Sequence, residues 1–539
     1  ITYYTVDKSG GKSPDKSADV NSNNQIRIDI PANIKGQIYA KATDNVNNVA
    51  KDYVNPNGLI VENEEEHRRS SHIKYTLKET KDITGKNVVD SNGNNLYGAD
   101  TTVDVEIADT YSGIRQIDWE IVAPYDDKKQ AGTVVVDNNG QVSSSAKSGY
   151  SADCLGEWKE VTEDNLVTVL RNTITVSNNS NDIKIKFSLT DRAGNETKDV
   201  VQVLSIDKTA PKIVVQMNED DDETYSGFFR GKRTADIYVY ERNFASSDFA
   251  FNVIRTDDND KESVVNVKPK FEKIGEQVID DVECYVYKMS TSFSADGDYN
   301  FTVSAQDTAG HINSADSTNH KTVDKDVKYS SDKTDVYSAQ NDADRAIDNV
   351  FTIDNTKPVI AVSYDNNDVR NEKYFNNHRV ATITVKEHNF TSTDNRIVYT
   401  RKSTKDGASI EEPKVSAWSQ NGNTYTATIN YNADGDYTFA VDLTDKAGNT
   451  TKDTEVSYNG SASKDFVIDT TIDKPVISGV VNGNSYKESV LPKINFSDIN
   501  FKNAQVRLLR TRKDEINKDV TNNYKIGLST NQHGGSFNA

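Results

Sequence analysis

The stretch DGDYTFAVDLTDKAGN, residues 434–449, decides how the rest of the chain is interpreted. From Tyr437 to Leu443 its apolar side chains alternate with polar ones, which is the period of a β-strand with one buried face. The strand runs into Asp445-Lys-Ala-Gly448-Asn449. An Asp side chain accepts hydrogen bonds from backbone amides two residues on, and a Gly tolerates the left-handed conformation that a tight turn requires. The stretch therefore predicts a strand, a tight turn and the return strand of a hairpin.

The same pattern is written several times along the chain. DGDYNFTVSAQDTAGH, residues 296–311, has its Gly, Tyr, Phe and Asp at the same offsets. Further copies end in Asp191-Arg-Ala-Gly194-Asn195 and, in degenerate form, in Asp44-Asn-Val-Asn47-Asn48. Self-similarity at a domain-sized period is the signature of tandem domains. We predict structural turns at Asp191, Gly194, Asp307, Gly310, Asp445 and Gly448.

A second motif marks the joints between the repeated units. Ile206-Asp207-Lys-Thr-Ala-Pro211 matches Ile353-Asp354-Asn-Thr-Lys-Pro358, and the segment from Ile468-Asp469 to Pro475 is the same with two extra residues. Proline cannot donate to a sheet ladder, so a strand ends there and a new unit begins. The spacing suits β-sandwich domains. It predicts full units at 57–208, 209–355 and 356–470, between partial units at 1–56 and 471–539.

Together these motifs resemble the bacterial immunoglobulin-like repeats of large cell-surface proteins. Besides the D-x-A-G-N turns and the I-D-x-T-x-P joints, the resemblance rests on Tyr299 and Tyr437, which open a strand after a turn as a tyrosine corner does. It implies an all-β fold of tandem immunoglobulin-like β-sandwiches arranged end to end. It also implies an exported protein of the bacterial cell surface or cell wall, of which this chain would be an internal or trimmed part.

Composition narrows the functional classes. With 63 Lys and Arg against 83 Asp and Glu, the net charge of −20 argues against a nucleic-acid partner, which would require a basic face. No apolar run is long enough to span a membrane. Two cysteines, Cys154 and Cys284, are too few for a disulfide framework or a cysteine-based zinc site.

No catalytic signature is present. The chain lacks G-x-S-x-G, P-loop, Rossmann and H-E-x-x-H patterns, and acids that recur at one offset in every copy are better explained by structure than by catalysis. We therefore expect a non-enzymatic adhesin or extended stalk that binds a host or environmental protein or glycan, with an immunoglobulin or a mucin among the candidates. The alternatives are a purely structural spacer and a non-catalytic region of a larger surface enzyme.

Two segments break the regularity of the repeats. Residues 312–348 form a polar insertion with Tyr329 and Tyr337, and a loop-rich stretch from Pro124 carries Tyr125, Tyr150 and Trp158 among Gly and Ser. Long insertions on rigid scaffolds often carry function, and loop aromatics are typical of recognition surfaces. We predict partner binding by these five aromatic residues. The alternative is that Tyr150 and Trp158 only close the end of a sandwich.

Acidic residues near the joints suggest calcium. Asp220, Asp221 and Asp222 follow the Pro211 joint, and Ca²⁺ takes about six to eight oxygen ligands. No D-x-D-x-D-G loop supports that hypothesis, so a solvated hairpin tip is the alternative. The calcium hypothesis gains some support from the joint residues Asp207, Asp354 and Asp469. Capping of the turn explains these aspartates more simply. The charge block at residues 64–69 is expected to be a solvated loop, with a docking patch as the alternative.

Overall fold

The structure, a computed structural model of the 539-residue chain, describes residues 2–7, 11–50, 53–54, 58–79, 81–217, 222–279, 282–315, 327–329, 350–393, 396–531 and 534–538. Within them the regular structure is almost all β-strand, with one α-helix, α1 (Glu64–Ser70), and 3-10 turns at Asp453–Glu455 and Thr521–Asn523. Each sheet is drawn from one stretch of the chain. The predicted all-β class of tandem immunoglobulin-like sandwiches is confirmed.

Unit 1 (residues 2–61) is a single sheet. Its strands are β1 (Thr2–Asp7), β2 (Lys16–Ser17), β3 (Ile34–Lys41), β4 (Tyr53–Val54) and β5 (Leu59–Val61). They pair in the order β2-β1-β3-β4, with β5 also on β3. No apolar side chain among its described residues is buried. Strand β5 thus lies in the first sheet, although the predicted partial unit ends at residue 56.

Unit 2 (residues 71–206) is a two-sheet sandwich. Its strands are β6 (Ser71–Leu77), β7 (Val88–Val89), β8 (Asn95–Tyr97), β9 (Thr101–Asp109), β10 (Ile114–Val122), β11 (Gln130–Val136), β12 (Val142–Ala146), β13 (Lys159–Glu163), β14 (Leu166–Val176), β15 (Ser180–Asp191) and β16 (Glu196–Ile206). One sheet has the order β12-β11-β10-β15-β16-β8-β7 and the other β13-β14-β9-β6. Trp119, Phe187 and Ile107 lie in the core between the two sheets.

Unit 3 (residues 212–353) repeats the sandwich. Its strands are β17 (Lys212–Met217), β18 (Asp222–Tyr225), β19 (Phe228–Arg230), β20 (Arg233–Glu241), β21 (Phe244–Thr256), β22 (Glu262–Val264), β23 (Glu272–Ile279), β24 (Val282–Phe293), β25 (Gly297–Asp307), β26 (Ile312–Ala315), β27 (Val327–Tyr329) and β28 (Val350–Ile353). The sheets are β23-β24-β20-β17-β27 and β18-β19-β28-β25-β21-β22, with β26 on β25. Aromatic rings fill this core, with Tyr299 stacked on Phe351 at 5.1 Å between ring centroids.

Unit 4 (residues 359–468) has the topology of unit 3 without the edge strand β18. Its strands are β29 (Val359–Tyr364), β30 (Tyr374–Phe375), β31 (Arg379–Lys386), β32 (Ile397–Lys405), β33 (Ala408–Ser409), β34 (Ser419–Asn421), β35 (Thr424–Tyr431), β36 (Gly435–Thr444), β37 (Thr450–Thr451), β38 (Ser457–Asn459) and β39 (Asp465–Ile468). The sheets are β34-β35-β31-β29-β38 and β30-β39-β36-β32-β33, with β37 on β36. The correspondence with unit 3 explains why the two stretches of sequence are so alike.

Unit 5 (residues 476–538) is smaller. Its strands are β40 (Val476–Ser478), β41 (Lys493–Ser497), β42 (Leu509–Arg512), β43 (Glu515–Asp519), β44 (Gly527–Asn531) and β45 (Gly534–Asn538). They form a sheet β40-β41-β45-β44 and a separate hairpin of β42 and β43. The predicted limits at 208, 355 and 470 fall between sheets, but sheet pairing alone does not delimit a folding domain, so the domain limits stay predictions.

The tyrosines that open two of the repeated strands make the expected bond. The hydroxyl of Tyr299 donates to the carbonyl of Ala295 at 2.8 Å, and the hydroxyl of Tyr437 donates to the carbonyl of Ala433 at 2.8 Å. Both rings are buried, so each phenol hydroxyl makes its hydrogen bond to the backbone just upstream, as a tyrosine corner does.

Among the described residues, no helix is long and apolar enough to cross a membrane.

Candidate functional site

The D-x-A-G-N turns hold their aspartates at the ends of strands. The amide of Asp445 donates to the carbonyl of Asn449 at 3.0 Å. In the other direction, the backbone amide of Asn449 donates to Oδ1 of Asp445 at 2.9 Å, and its side-chain amide donates to Oδ2 at 3.0 Å. Gly448 takes the left-handed conformation, with φ 84°. The principal bonds thus come from the residue four positions on, where the sequence suggested two.

The other two turns follow the same plan. Asn195 donates from its backbone and its side chain to Asp191, at 2.8 Å each, and Gly194 has φ 92°. In the third turn His311 stands where the others have Asn, with its Nδ1 3.0 Å from Oδ2 of Asp307, and Gly310 has φ 94°. All three aspartates are at most 3% exposed. Each turn therefore delivers one buried carboxylate to the same end of its unit.

The joint aspartates use both carboxylate oxygens. Oδ1 of Asp207 accepts from the backbone amide of Thr209 at 3.2 Å, which caps the turn as the sequence suggested. Oδ2 accepts from the side-chain amide of Asn243 in unit 3 at 2.7 Å. The residue that ends one unit is therefore hydrogen-bonded to the next.

That cross-joint bond recurs at the following joints. Oδ2 of Asp354 accepts from the side-chain amide of Asn389 at 3.1 Å, and Oδ2 of Asp469 accepts from that of Asn500 at 2.9 Å. An acid two residues before each Asn accepts the backbone amide of that Asn, at 2.8 to 2.9 Å; these acids are Glu241, Glu387 and Asp498. The two motifs that the sequence shows separately, I-D-x-T-x-P and acid-x-Asn-Phe, are hydrogen-bonded partners.

Three acids therefore converge at each of two joints. The second joint cluster is Asp207, Glu241 and Asp307, and the third joint cluster is Asp354, Glu387 and Asp445. Within a cluster each residue offers one oxygen, and these oxygens lie within 4.8 Å of one another. Every member is less than 9% exposed. At the fourth joint, the described residues supply Asp469 and Asp498 at the equivalent positions.

Burying carboxylates together makes their ionisation unfavourable. Burial, together with the nearby charge of Asp354, raises the pKa of Glu387 to about 8 and that of Asp445 to about 6. Burial, followed by the charges of Asp207 and Asp307, raises the pKa of Glu241. Such a set is relieved either by protons or by a bound cation, and oxygen-only donors suit Ca²⁺ better than transition metals.

The first joint cluster has acids at the same three repeat positions as the other two clusters, and a fourth residue joins them. Glu62 follows β5 as Asp207 follows β16, Asp109 ends β9 as Glu241 ends β20, and Asp191 belongs to the D-x-A-G-N turn. The fourth member is His67, whose ring lies among the three carboxylates. The turn residue Asn195 also donates to the carbonyl of Glu62 at 3.3 Å, as Asn449 does to that of Asp354 at 2.9 Å.

The expectation of a solvated loop at 64–69 is wrong. These residues form helix α1, whose N-cap Asn63 accepts the amide of Glu66 at 3.0 Å. The helix turns His67 inward, to 2% exposure. The Asn-x-x-Glu pattern at 63–66 was a readable helix-start signal, but the local charge density favoured a loop. Sequence reasoning therefore missed the histidine of this cluster.

The predicted recognition aromatics have different surroundings. Tyr125 lies beside Tyr285 of unit 3, at a joint. Tyr150 is half-buried, with the ammonium of Lys147 5.1 Å from its ring centroid. Trp158 is half-buried and packs against the core of unit 2, which agrees with the end-closing alternative. For Tyr329 the structure describes only the backbone, in β27, and Tyr337 lies outside the described residues.

The acidic run after the Pro211 joint cannot be placed as a calcium site. Asp220 and Asp221 lie outside the described residues, and of Asp222 only the backbone, at the start of β18, is described. Among the described residues, the buried acids that lie close together are instead those of the three joint clusters.

Comparison with known proteins agrees with the fold. Residues 379–458 match a family described as a bacterial Ig-like domain. No curated protein matches the chain. Among solved structures, a marsupial T cell receptor is similar at a TM-score of 0.22 and 9% identity, over 45% of this chain and 94% of that one, a likeness too low to support any inference.

Proposed function

This chain carries a bacterial immunoglobulin-like domain at residues 379–458, and we propose that it serves as a non-enzymatic, extended spacer of a bacterial surface protein. In this proposal units 2, 3 and 4 fold on their own cores, and the joints hold successive units in a preferred orientation. The function is then mechanical, since the spacer sets how far a neighbouring part of the protein stands from the cell.

One observation carries the proposal: the same bond crosses three successive joints. A joint aspartate accepts from an asparagine of the following unit in the pairs Asp207–Asn243, Asp354–Asn389 and Asp469–Asn500. In the first two pairs both residues are buried. Bending the joint would leave one oxygen of a buried carboxylate without its hydrogen bond, at a cost of about 1–3 kcal/mol. Repetition of such a bond is expected of joints that are required to be stiff.

Other contacts at the joints support the same conclusion. Arg242 of unit 3 donates to the backbone carbonyl of Asn179 in unit 2 at 2.9 Å and to its side chain at 2.6 Å. At the next joint the hydroxyl of Thr224 in unit 3 donates to the carbonyl of Lys446 at 2.6 Å. Hydrogen bonds between units oppose the relative motion that is otherwise expected of linked domains.

Small-angle X-ray scattering of the full chain tests the proposal. The variant Asn243→Ala/Asn389→Ala should shorten the maximum dimension and broaden the pair-distance distribution, because two joints lose their cross-joint bond. Asn172→Ala is the matched control, since Asn172 is a buried asparagine whose amide bonds within unit 2, to the carbonyl of Gly156 at 2.8 Å. Measurements with CaCl₂ and with EDTA show whether a cation adds stiffness. Unchanged scattering in a folded double variant would refute the proposal.

A second candidate function is capture of a host or environmental macromolecule. A solvent-facing groove on the seven-stranded sheet of unit 2 supports it, lined by Asp118, Glu120, Thr133, Lys147, Lys186 and Ser188. Lys147 also contacts Tyr150, one of the predicted binding aromatics. A biolayer interferometry screen against mucins, immunoglobulins, matrix proteins and polysaccharides tests it. Capture by this groove would be supported by saturable binding that is lost in Lys147→Ala and kept in Lys159→Ala, which lies on the other sheet. Binding that neither substitution changes, or the absence of any binding, would count against this groove.

A further inference from the structure

We propose that the first joint cluster, Glu62, His67, Asp109 and Asp191, binds a divalent transition-metal ion of the zinc class. This inference is independent of the spacer proposal, since it concerns what occupies one joint and not how the whole chain behaves. The four groups offer one nitrogen and three oxygens within 4.8 Å of one another. Their residues are 0% to 7% exposed, so the site is enclosed by protein.

Two of these groups have an atom without a hydrogen-bond partner. Oδ1 of Asp109 accepts the backbone amides of Tyr111, Ser112 and Gly113, at 3.2, 2.9 and 2.7 Å. Its Oδ2, on the cluster side, has no hydrogen bond among the described residues. Nδ1 of His67 likewise has none, while Nε2 lies 2.9 Å from the hydroxyl of Thr197. A buried polar atom without a hydrogen-bond partner costs free energy, so both of these atoms require an explanation.

The unpartnered atoms point at one another. Nδ1 of His67 lies 3.3 Å from Oδ2 of Asp109 and 2.9 Å from Oδ2 of Asp191, in contacts that lack hydrogen-bond alignment. If Nε2 donates to Thr197, Nδ1 presents a lone pair to two carboxylate oxygens, which repel it. A cation placed among the imidazole nitrogen and the two carboxylate oxygens would be coordinated by all three, so atoms that repel one another would become its ligands. In the part of the chain that the structure describes, no Lys or Arg forms an ion pair with the three carboxylates.

The surrounding contacts orient each donor as the outer shell of a metal site does. Oε1 of Glu62 accepts from the hydroxyl of Ser70 at 2.6 Å, and Oε2 accepts from the amide of Ser112 at 3.1 Å. Asn195 holds Asp191, and Thr197 holds the far side of the imidazole. Partners of this kind fix the ring and the carboxylates in the direction of the ion and typically account for about ten- to hundred-fold in affinity.

The imidazole decides the class of metal. The second and third joint clusters offer carboxylates only, which hard ions such as Ca²⁺ favour. A mixed set of one imidazole and three carboxylates suits zinc and neighbouring transition metals. Glu62 follows the last strand of unit 1, His67 lies in helix α1, and Asp109 and Asp191 belong to unit 2. An ion bound by all four would therefore hold the end of unit 1 and helix α1 against unit 2.

Metal titration of the full chain tests the proposal. After stripping with EDTA and desalting, ZnCl₂ and CaCl₂ are titrated separately by calorimetry at pH 7. The wild type should bind one Zn²⁺ more tightly than Ca²⁺ at this site. His67→Gln and Asp109→Asn should weaken that Zn²⁺ event about ten-fold or more. His72→Gln and Asp118→Asn are the matched controls and should leave it unchanged, since His72 and Asp118 are exposed residues of the same unit.

A measurement on the wild type keeps the test decisive if a variant fails to fold. Co²⁺ should give a visible d–d absorption band that Zn²⁺ displaces, and Zn²⁺ should shift the ¹⁵N resonance of His67 Nδ1. The competing explanation is a doubly protonated His67 that pairs with Asp109 and Asp191 unaided. An imidazole that is doubly protonated at pH 7 and unmoved by Zn²⁺ would overturn the proposal. So would Zn²⁺ binding that His67→Gln leaves intact.

Discussion

At the scale of single residues, the chain concentrates its buried charge at the joints. Asp445, completely buried, and Glu387, 7% exposed, lie beside Asp354 without a Lys or Arg ion pair in the described part of the chain. The sequence shows these acids at matching offsets, which favours a structural role. Their clustering depends on how two units meet, which no local pattern encodes.

The third joint cluster should make unit 4 less stable as the pH rises. An acid whose folded pKa is raised keeps its proton after the unfolded chain has lost it, so stability is highest below the unfolded pKa and falls up to the folded pKa. Asp445 contributes this fall from pH about 4 to about 6 and Glu387 from about 4.5 to about 8. With EDTA present, thermal melts should show a loss on the order of 3 kcal/mol from Asp445 alone.

Glu387→Gln separates the two contributions. Between pH 6.5 and 8, where Glu387 is still titrating, the variant should lose less stability than the wild type does. A wild type whose melting temperature rises or stays level from pH 5 to 8 would contradict the assignment.

At the scale of elements, hairpin turns serve as contact surfaces as well as connections. The 445–449 turn of unit 4 packs on Thr224 of β18, and the 307–311 turn of unit 3 packs on Ile83 of unit 2. A repeated turn motif is enough to predict the hairpin. It does not show that the turn contacts a neighbour, because that contact lies between residues more than 200 positions apart. Helix α1 was missed for a related reason, since its buried histidine is stabilised by distant carboxylates.

Gly448→Ala should destabilise the protein more than Gly194→Ala. Both glycines are left-handed, with φ 84° and 92°, so both substitutions carry a strain of about 1–2 kcal/mol. An added Cβ at Gly448 would come within 2.8 Å of Cγ2 of Thr224, whereas one at Gly194 would meet nothing within 4 Å. The displaced Thr224 would lose its bond to Lys446, worth about 1 kcal/mol more. Equal melting temperatures for the two variants would mean that the turn makes no such contact.

At the scale of the whole molecule, stability is distributed unevenly along the chain. Units 2, 3 and 4 each have an extensive buried core. Among the described residues, unit 1 buries no apolar side chain, and unit 5 buries only Val520 and Phe537. Since buried apolar area is the main source of folding free energy, the two ends should open more readily than the middle.

Hydrogen-exchange mass spectrometry of the full chain measures this difference. Backbone amides in β3 and β41 should exchange orders of magnitude faster than those in the central strands β15, β25 and β36, although all five strands are hydrogen-bonded in sheets. Protection in β3 as strong as in β25 would mean that unit 1 is stabilised by contacts beyond its own sheet.

The sequence by itself determined the all-β class, the order of the repeats and the conformation of the turns, because alternation, glycine and proline act through neighbouring residues. Only the tertiary structure decided that the acids of three motifs meet at each joint, that His67 enters the first of these clusters, and that Trp158 packs on a core. Those outcomes depend on side chains that lie from tens of residues to more than a hundred residues apart in the chain. Such proximity follows from the packing of sheets and units, and no local period or spacing specifies it.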